Sequence, residues 1–119
     1  MYHTISDEEA GRLIAGIPAA AAVDQIAAMF KALGDPTRVR IVHLLSQAEL
    51  CVHDLAQLLG VSQPAMSHHL RVLRMLRLVR TRREGAAIHY SLDDQHVADL
   101  LRFSSAHALH GSGGTSPDV

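Results

Sequence analysis

The apolar positions of this chain change period along its length. Val23, Ile26, Ala27, Phe30 and Leu33 recur at helical spacing, and so do Val39, Val42 and Leu45, or alternatively Ile41, Leu44 and Leu45. Before them, Ser6 and Glu9 are spaced as a capping box and predict a short helix over "SDEEAGRLIAGI", ended near Pro18. A second helix is predicted over residues 19–33, stopped by Gly34. Asp35-Pro36 then supplies an N-cap and a first-turn proline for a third helix over 36–46. Within "CVHDLAQLLGVSQPAMSHHLRVLRMLRLV", Val52, Leu55 and Leu59 mark a short helix closed by Gly60. Ser62 and Pro64 open the next helix, packed through Leu70, Leu73 and Leu76. Two short helices joined by a Gly-containing turn read as a helix-turn-helix. The period then drops to two. Leu78, Val79 and Thr81, then Ile88, Tyr90 and Leu92, alternate as strands about a "REGA" turn, a β-hairpin wing. A last helix is predicted from about Asp93 to Leu109. The expected class is mainly α with a β-hairpin wing, a winged helix-turn-helix.

A chain of 119 residues suffices for one domain with a modest core. The expected division is an N-terminal arm with a short helix over 1–18, a DNA-binding and dimerisation domain over 19–110, and a disordered tail over 111–119, "GSGGTSPDV". With 48% hydrophobic but only 3% aromatic residues, the core must be built from Leu, Val, Ile, Ala and Met, and a second copy of the chain would help so small a domain. No apolar stretch is long enough to span a bilayer. The acidic start "MYHTISDEEAG" has no signal-peptide pattern, so a cytoplasmic location is expected. A single cysteine, Cys51, excludes an internal disulfide framework.

The formal charge of −1 argues against nucleic acid, but its distribution argues for it. Arg71, Arg74, Arg77, Arg80, Arg82 and Arg83 lie between Ser62 and Glu84, while acids gather at Asp7, Glu8 and Glu9 and at Asp93, Asp94 and Asp99. DNA binding needs a basic face, not a basic protein. A recognition helix presents short polar groups to base edges near its N-terminus and cations to phosphates further along. Ser62, Gln63, Ser67 and His68 fit the first role, and Arg71 and Arg74 the second. Arg82 and Arg83 of the hairpin can reach the minor groove or flanking phosphates. A solvated polar helix face is the plainer reading of each residue alone. The ordered combination of helix-turn-helix, polar start and basic wing favours DNA.

The segments "FKALGDPTRVRIVHLL", "ELCVHDLAQLLGVSQPAMSHHLRVLRMLRLV" and "REGAAIHYSL" closely resemble the ArsR/SmtB family of bacterial metal-sensing repressors, over roughly residues 25–110. The resemblance implies a dimeric winged helix-turn-helix that represses metal-export or detoxification genes and leaves its operator when metal binds.

The last helix carries histidines suited to such a role. His96 and His107 are eleven residues apart, which places them roughly 16 Å apart along one helix. Two ligands of one zinc sit only about 3–4 Å apart, given bonds near 2 Å. One helix cannot bring both to one ion, whereas two antiparallel copies can. Asp94 and His96 of one copy would meet His107 and His110 of the other, the last two sharing a face. The spacing D-x-H, ten residues, H-x-x-H also matches the interfacial site of family members. Three imidazoles and one carboxylate suit Zn(II) first. Ni(II) or Co(II) remains an alternative, with His3 as an extra donor. Without the fold, polar residues on a dimer helix would serve as the plainer explanation.

A second metal site is conceivable at Cys51, His53 and Asp54, with His3 joining. Relatives bind metal there through "CVC" or C-x-x-D patterns, and this chain has His53 where the second cysteine falls. One cysteine cannot supply the thiolates of an arsenic or cadmium sensor. His43 is expected on a helix face, His69 in a structural role and His89 in the wing. An enzyme is not expected, because four protein ligands would close a zinc site and no nucleophile–base arrangement or phosphate loop is present. A metal-storage protein, and a winged-helix repressor answering a non-metal signal, are the remaining rivals.

Overall fold

Helix starts follow the caps that the sequence provides. In the computed structural model, which describes residues 4–115, Ser6 Oγ accepts from the Glu9 amide at 3.1 Å and opens α1, Asp7–Ala15. After a 62° bend at Pro18, α2 runs Ala20–Ala32. Asp35 Oδ1 accepts from the amides of Thr37 and Arg38 at 2.8 and 3.2 Å, with Pro36 at the first position of α3, Pro36–Leu45. Ser62 Oγ accepts from the Ala65 amide at 3.2 Å and opens α5, Gln63–Met75. Between them lie β1, Leu50–Cys51, and α4, Val52–Leu59. The wing is β2, Val79–Glu84, and β3, Ala87–Leu92, and α6 is Gln95–Thr115.

The two helices of the helix-turn-helix stop in the same way. Past α4, Gly60 takes the left-handed conformation (φ 65°) and Val61 N donates to Ala56 O at 3.0 Å. Past α5, Arg77 does the same (φ 60°), with Leu78 N donating to Leu73 O at 2.9 Å. Both closures satisfy orphan carbonyls of the final turn. The arginine occupies a backbone conformation that costs an L side chain about 1 kcal/mol or more, and the buried pair Leu73 and Leu78 offsets it.

The helical boundaries agree with the periodic reading to within a residue or two up to the wing. Two differences stand out. The sheet has three strands, in the order β1-β3-β2, all antiparallel. Leu50 pairs with Tyr90 and Cys51 with His89, so a short strand precedes α4. In addition, α6 begins after Asp94 instead of at Asp93 and continues to Thr115, past Leu109. It thus takes in residues 111–115 of the segment expected as a tail, while residues 116–119 lie outside those described.

The core gathers Ile41, Val42 and Leu45 of α3, Leu55 and Ala56 of α4, and Met66, Leu70 and Leu73 of α5, with Leu78, Val79 and Val97. Leu76 packs against its edge half-buried. Val39 turns away from this core into an apolar groove between α2, α3 and α6, lined also by Phe30, Val42, Val97 and Leu101. The stripe on α2 predicted to face inward is largely open in the single chain: Val23, Ile26 and Phe30 are exposed, as are Leu13, Ile14 and Ile17 before them. Among the described residues no single helix is long and apolar enough to cross a membrane.

Candidate nucleic-acid interface and metal centre

The buried edge of α5, Met66–Leu70–Leu73, fixes which face remains for contact. Gln63, Ser67, Arg71 and Arg74 fall at successive helical spacings on another face, Ser67 half-buried and the rest exposed. His68 is exposed beside them, its ring tilted against His69 at 6.1 Å. His69 is structural, since its Nδ1 accepts from Arg38 Nε at 3.1 Å and ties α5 to α3. The Arg38 amide, with the Thr37 amide and the charges of His69 and Arg38, outweighs partial desolvation and holds the Asp35 carboxyl below its ordinary value.

Three proposed DNA contacts, Ser62, Gln63 and Arg82, have intramolecular partners, of which sequence reading anticipated the cap made by Ser62. The Ser62 oxygen is the cap of α5, so its first task is local. Ser62→Ala is expected to lower stability to urea by about 1 kcal/mol, with Ser62→Asn restoring it. Unchanged unfolding of the alanine variant would deny the cap any role.

Arg82 projects from β2 onto Glu49, with Nη2 at 2.7 Å from Oε1 and Nε at 3.2 Å. Glu84 lies 3.6 Å from Arg82 Nη1 and from His89 Nε2. The Arg82 hydrogen bond, exceeding partial desolvation, holds the Glu49 carboxyl below its ordinary value, and Arg82 is raised in turn. The guanidinium thus joins the wing to the segment before β1, while Arg80 and Arg83 are the wing arginines left exposed without such a bridge among the described contacts. The strand register supplies the reason: Cys51, His89 and Arg82 stand opposite one another across the sheet, bringing Glu49 within reach.

The four residues expected to bind metal divide between the start of α6 and its C-terminal half. Asp94 precedes the helix and caps it, Oδ1 accepting from the amides of His96 at 2.9 Å and Val97 at 3.3 Å. His96 Nδ1 lies 3.6 Å from the same oxygen. Desolvation opposes ionisation of Asp94, but the Val97 amide and the His96 ring and amide outweigh it and keep its pKa below the ordinary value. His107 and His110 are exposed on the far turns of α6, His107 beside Leu100, Phe103 and Ser104.

Among the described residues, no three His, Cys, Asp or Glu side chains converge on a metal position within the chain. The second candidate set is divided. Cys51 Sγ lies 3.2 Å from Asp54 Oδ2, whereas His53 Nδ1 lies 3.0 Å from Gln63 Nε2, and His3 is outside the described residues. His43 is exposed on α3 and His89 is half-buried in the sheet.

A helix-turn-helix with a polar, basic second helix and an arginine-bearing hairpin defines the winged helix-turn-helix class of DNA-binding folds. Residues 35–81 match the family described as "Bacterial regulatory protein, arsR family". The chain is 46% identical over 89 residues to the HTH-type transcriptional regulator NmtR of Mycobacterium tuberculosis, matching 75% of this chain and 74% of that protein. It is 49% identical over 83 residues to the transcriptional repressor SmtB homolog of Synechocystis sp., matching 70% of this chain but 63% of that protein's length. A homodimeric winged helix-turn-helix DNA-binding domain from Mycobacterium bovis superimposes with a TM-score of 0.76 at 28% identity, over 99% of this chain and 100% of that one. The chain belongs to the arsR family.

Proposed function

We propose that this chain is a homodimeric, cytoplasmic transcriptional repressor that releases its operator when Asp94 and His96 of one copy, with His107 and His110 of a second, bind Zn(II). The observation that carries this reading is the placement of exposed donors at the start and in the C-terminal half of α6, too far apart to serve one ion within a chain. The donor set fits the metal: one carboxylate held ionised and three imidazoles suit a borderline ion. All close contacts of Asp94 fall on Oδ1, which leaves the chemistry of a carboxylate with a second oxygen. When bound, the ion supplies a link between the α6 helices of the two copies.

The remaining parts belong to the chain. Gln63, Ser67 and His68 meet base edges, while Arg71, Arg74 and Arg83 neutralise phosphates. Half-sites on DNA lie about 34 Å apart, so a dimer reads both only at the right spacing of its two α5 helices. Residues of α6 can govern that spacing because Val97 and Leu101 pack on the core that also holds α5. A ligand favouring the other spacing weakens operator affinity by its preference between the two dimer shapes.

The test is an optical titration of metal-free protein with Co(II), competed with Zn(II), beside operator binding. One tetrahedral Co(II) per chain without thiolate charge transfer, displaced by Zn(II) and accompanied by operator release, is expected. Metal uptake without any change in operator affinity would leave a repressor answering another signal. A weak octahedral spectrum would reassign the site to Ni(II) or Co(II), and a strong thiolate band would move it to Cys51.

A further inference from the structure

We propose that His53 is a positioning residue for operator reading, its ring holding the Gln63 amide in the orientation that reads adenine. The proposal rests on the reading of Gln63 as a base contact. Gln63 is the first residue of α5, and both it and His53 are exposed. They lie on the two sides of the Gly60 turn and line one shallow depression with Ala56, Gln57 and Ser62. His53 stands on α4, anchored by the buried Leu55 and Ala56 that follow it. The ring is therefore mounted on the scaffold, while the glutamine is the flexible member of the pair.

The separation of His53 Nδ1 and Gln63 Nε2 is 3.0 Å, a full hydrogen bond. With Nδ1 accepting, Gln63 donates one of its two amide protons to the ring. Its carbonyl oxygen and its other N–H remain for DNA. Adenine offers the matching pair in the major groove, an N6 donor and an N7 acceptor. Turned over, the amide would spend its oxygen on the ring and present donors alone, which suits guanine N7 and O6 better. With its own proton on Nε2, the ring thus selects one face of an otherwise ambivalent side chain. It also removes rotamers before binding, a gain of about two- to tenfold in affinity for one long side chain.

The experiment uses the full chain. An operator is selected from random duplexes, every base pair of one half-site is then substituted, and affinities are read by fluorescence anisotropy at fixed pH and salt. Gln63→Ala is expected to relax discrimination at one A·T pair by about tenfold. His53→Ala should relax the same pair by about two- to tenfold, add nothing in the double variant, and leave the thermal melt unchanged. His53→Gln, which retains an acceptor, should recover discrimination. The proposal is overturned if His53→Ala keeps the discrimination that Gln63→Ala erases, or weakens every sequence alike. No effect of Gln63→Ala at any base pair would remove the base contact itself and the proposal with it. Failure to select any operator would instead remove the repressor reading.

Discussion

A His107→Gln variant is expected to hold its operator as the wild type does and to ignore Zn(II). His107 is exposed on α6, on a shallow surface with Leu100, Phe103 and Ser104 of the same helix. Glutamine is at least as good a helix former as histidine, so α6 should be kept. What is lost is one of three imidazoles. Couplings between two sites are commonly about 5- to 150-fold in affinity. The wild-type operator dissociation constant should therefore rise by about that factor in saturating Zn(II), and the variant's by less than about twofold. Anisotropy titrations with and without Zn(II) decide it, and normal release by the variant would remove His107 from the site. The structure also chooses the companion variant. Asp94→Ala would remove the cap of α6 together with the ligand, since Oδ1 holds the first amides. Asp94→Asn keeps a capping side chain and removes the charge, so its failure to respond would report on metal and not on a frayed helix.

The helices and the hairpin were legible because their signals are local. Ser6, Asp35 and Ser62 announce three helix starts, and each oxygen is found on the expected amide or one beside it. The strands β2 and β3 alternate over enough residues to show their period. The β1 strand does not: two residues carry no periodicity, and Leu50 and Cys51 are extended only because β3 lies beside them. The stop of α5 was hidden for another reason. A glycine marks the left-handed position after α4, but after α5 an arginine fills it, and only the packing of Leu73 and Leu78 justifies that. At the candidate site, arithmetic on one helix gave the spacing of the α6 histidines, on which the proposed pairing across two copies rests. The partners of Arg82 and Gln63 could not be found that way, because Glu49 is 33 residues from Arg82 and His53 reaches Gln63 across a turn. Asp94 illustrates a signal that was present but assigned to a single role. An aspartate just before a helical stretch is an N-cap by position, and here the candidate ligand serves as the cap as well.

Phe103→Gln is expected to separate the two copies and, with them, to abolish tight operator binding. Phe103 is 81% exposed in the single chain, on the same shallow surface as Leu100, Ser104 and His107. Phe30 of α2, 55% exposed, lies in the neighbouring apolar groove with Leu101. Burying such a side chain is worth roughly 1.5–3 kcal/mol. In a twofold dimer each substitution counts twice, so roughly 3–6 kcal/mol of association is at stake. The dimer dissociation constant should rise by about 10²- to 10⁴-fold, since each 1.4 kcal/mol is a factor of ten. Sedimentation would show monomers at micromolar concentration, with the helical spectrum and melting of a folded chain retained because Phe103 makes so little contact within it. Operator affinity should fall with the loss of the second half-site, commonly about 10²-fold or more. The tetrahedral Co(II) bands should fade at the same protein concentrations at which the dimer dissociates. That last correlation carries the most weight. His107 and Phe103 border one surface, so a seam formed there brings the histidine of one copy against the second copy. A Phe103→Gln protein that stays dimeric would move the seam off this surface and leave His107 without a second chain to meet.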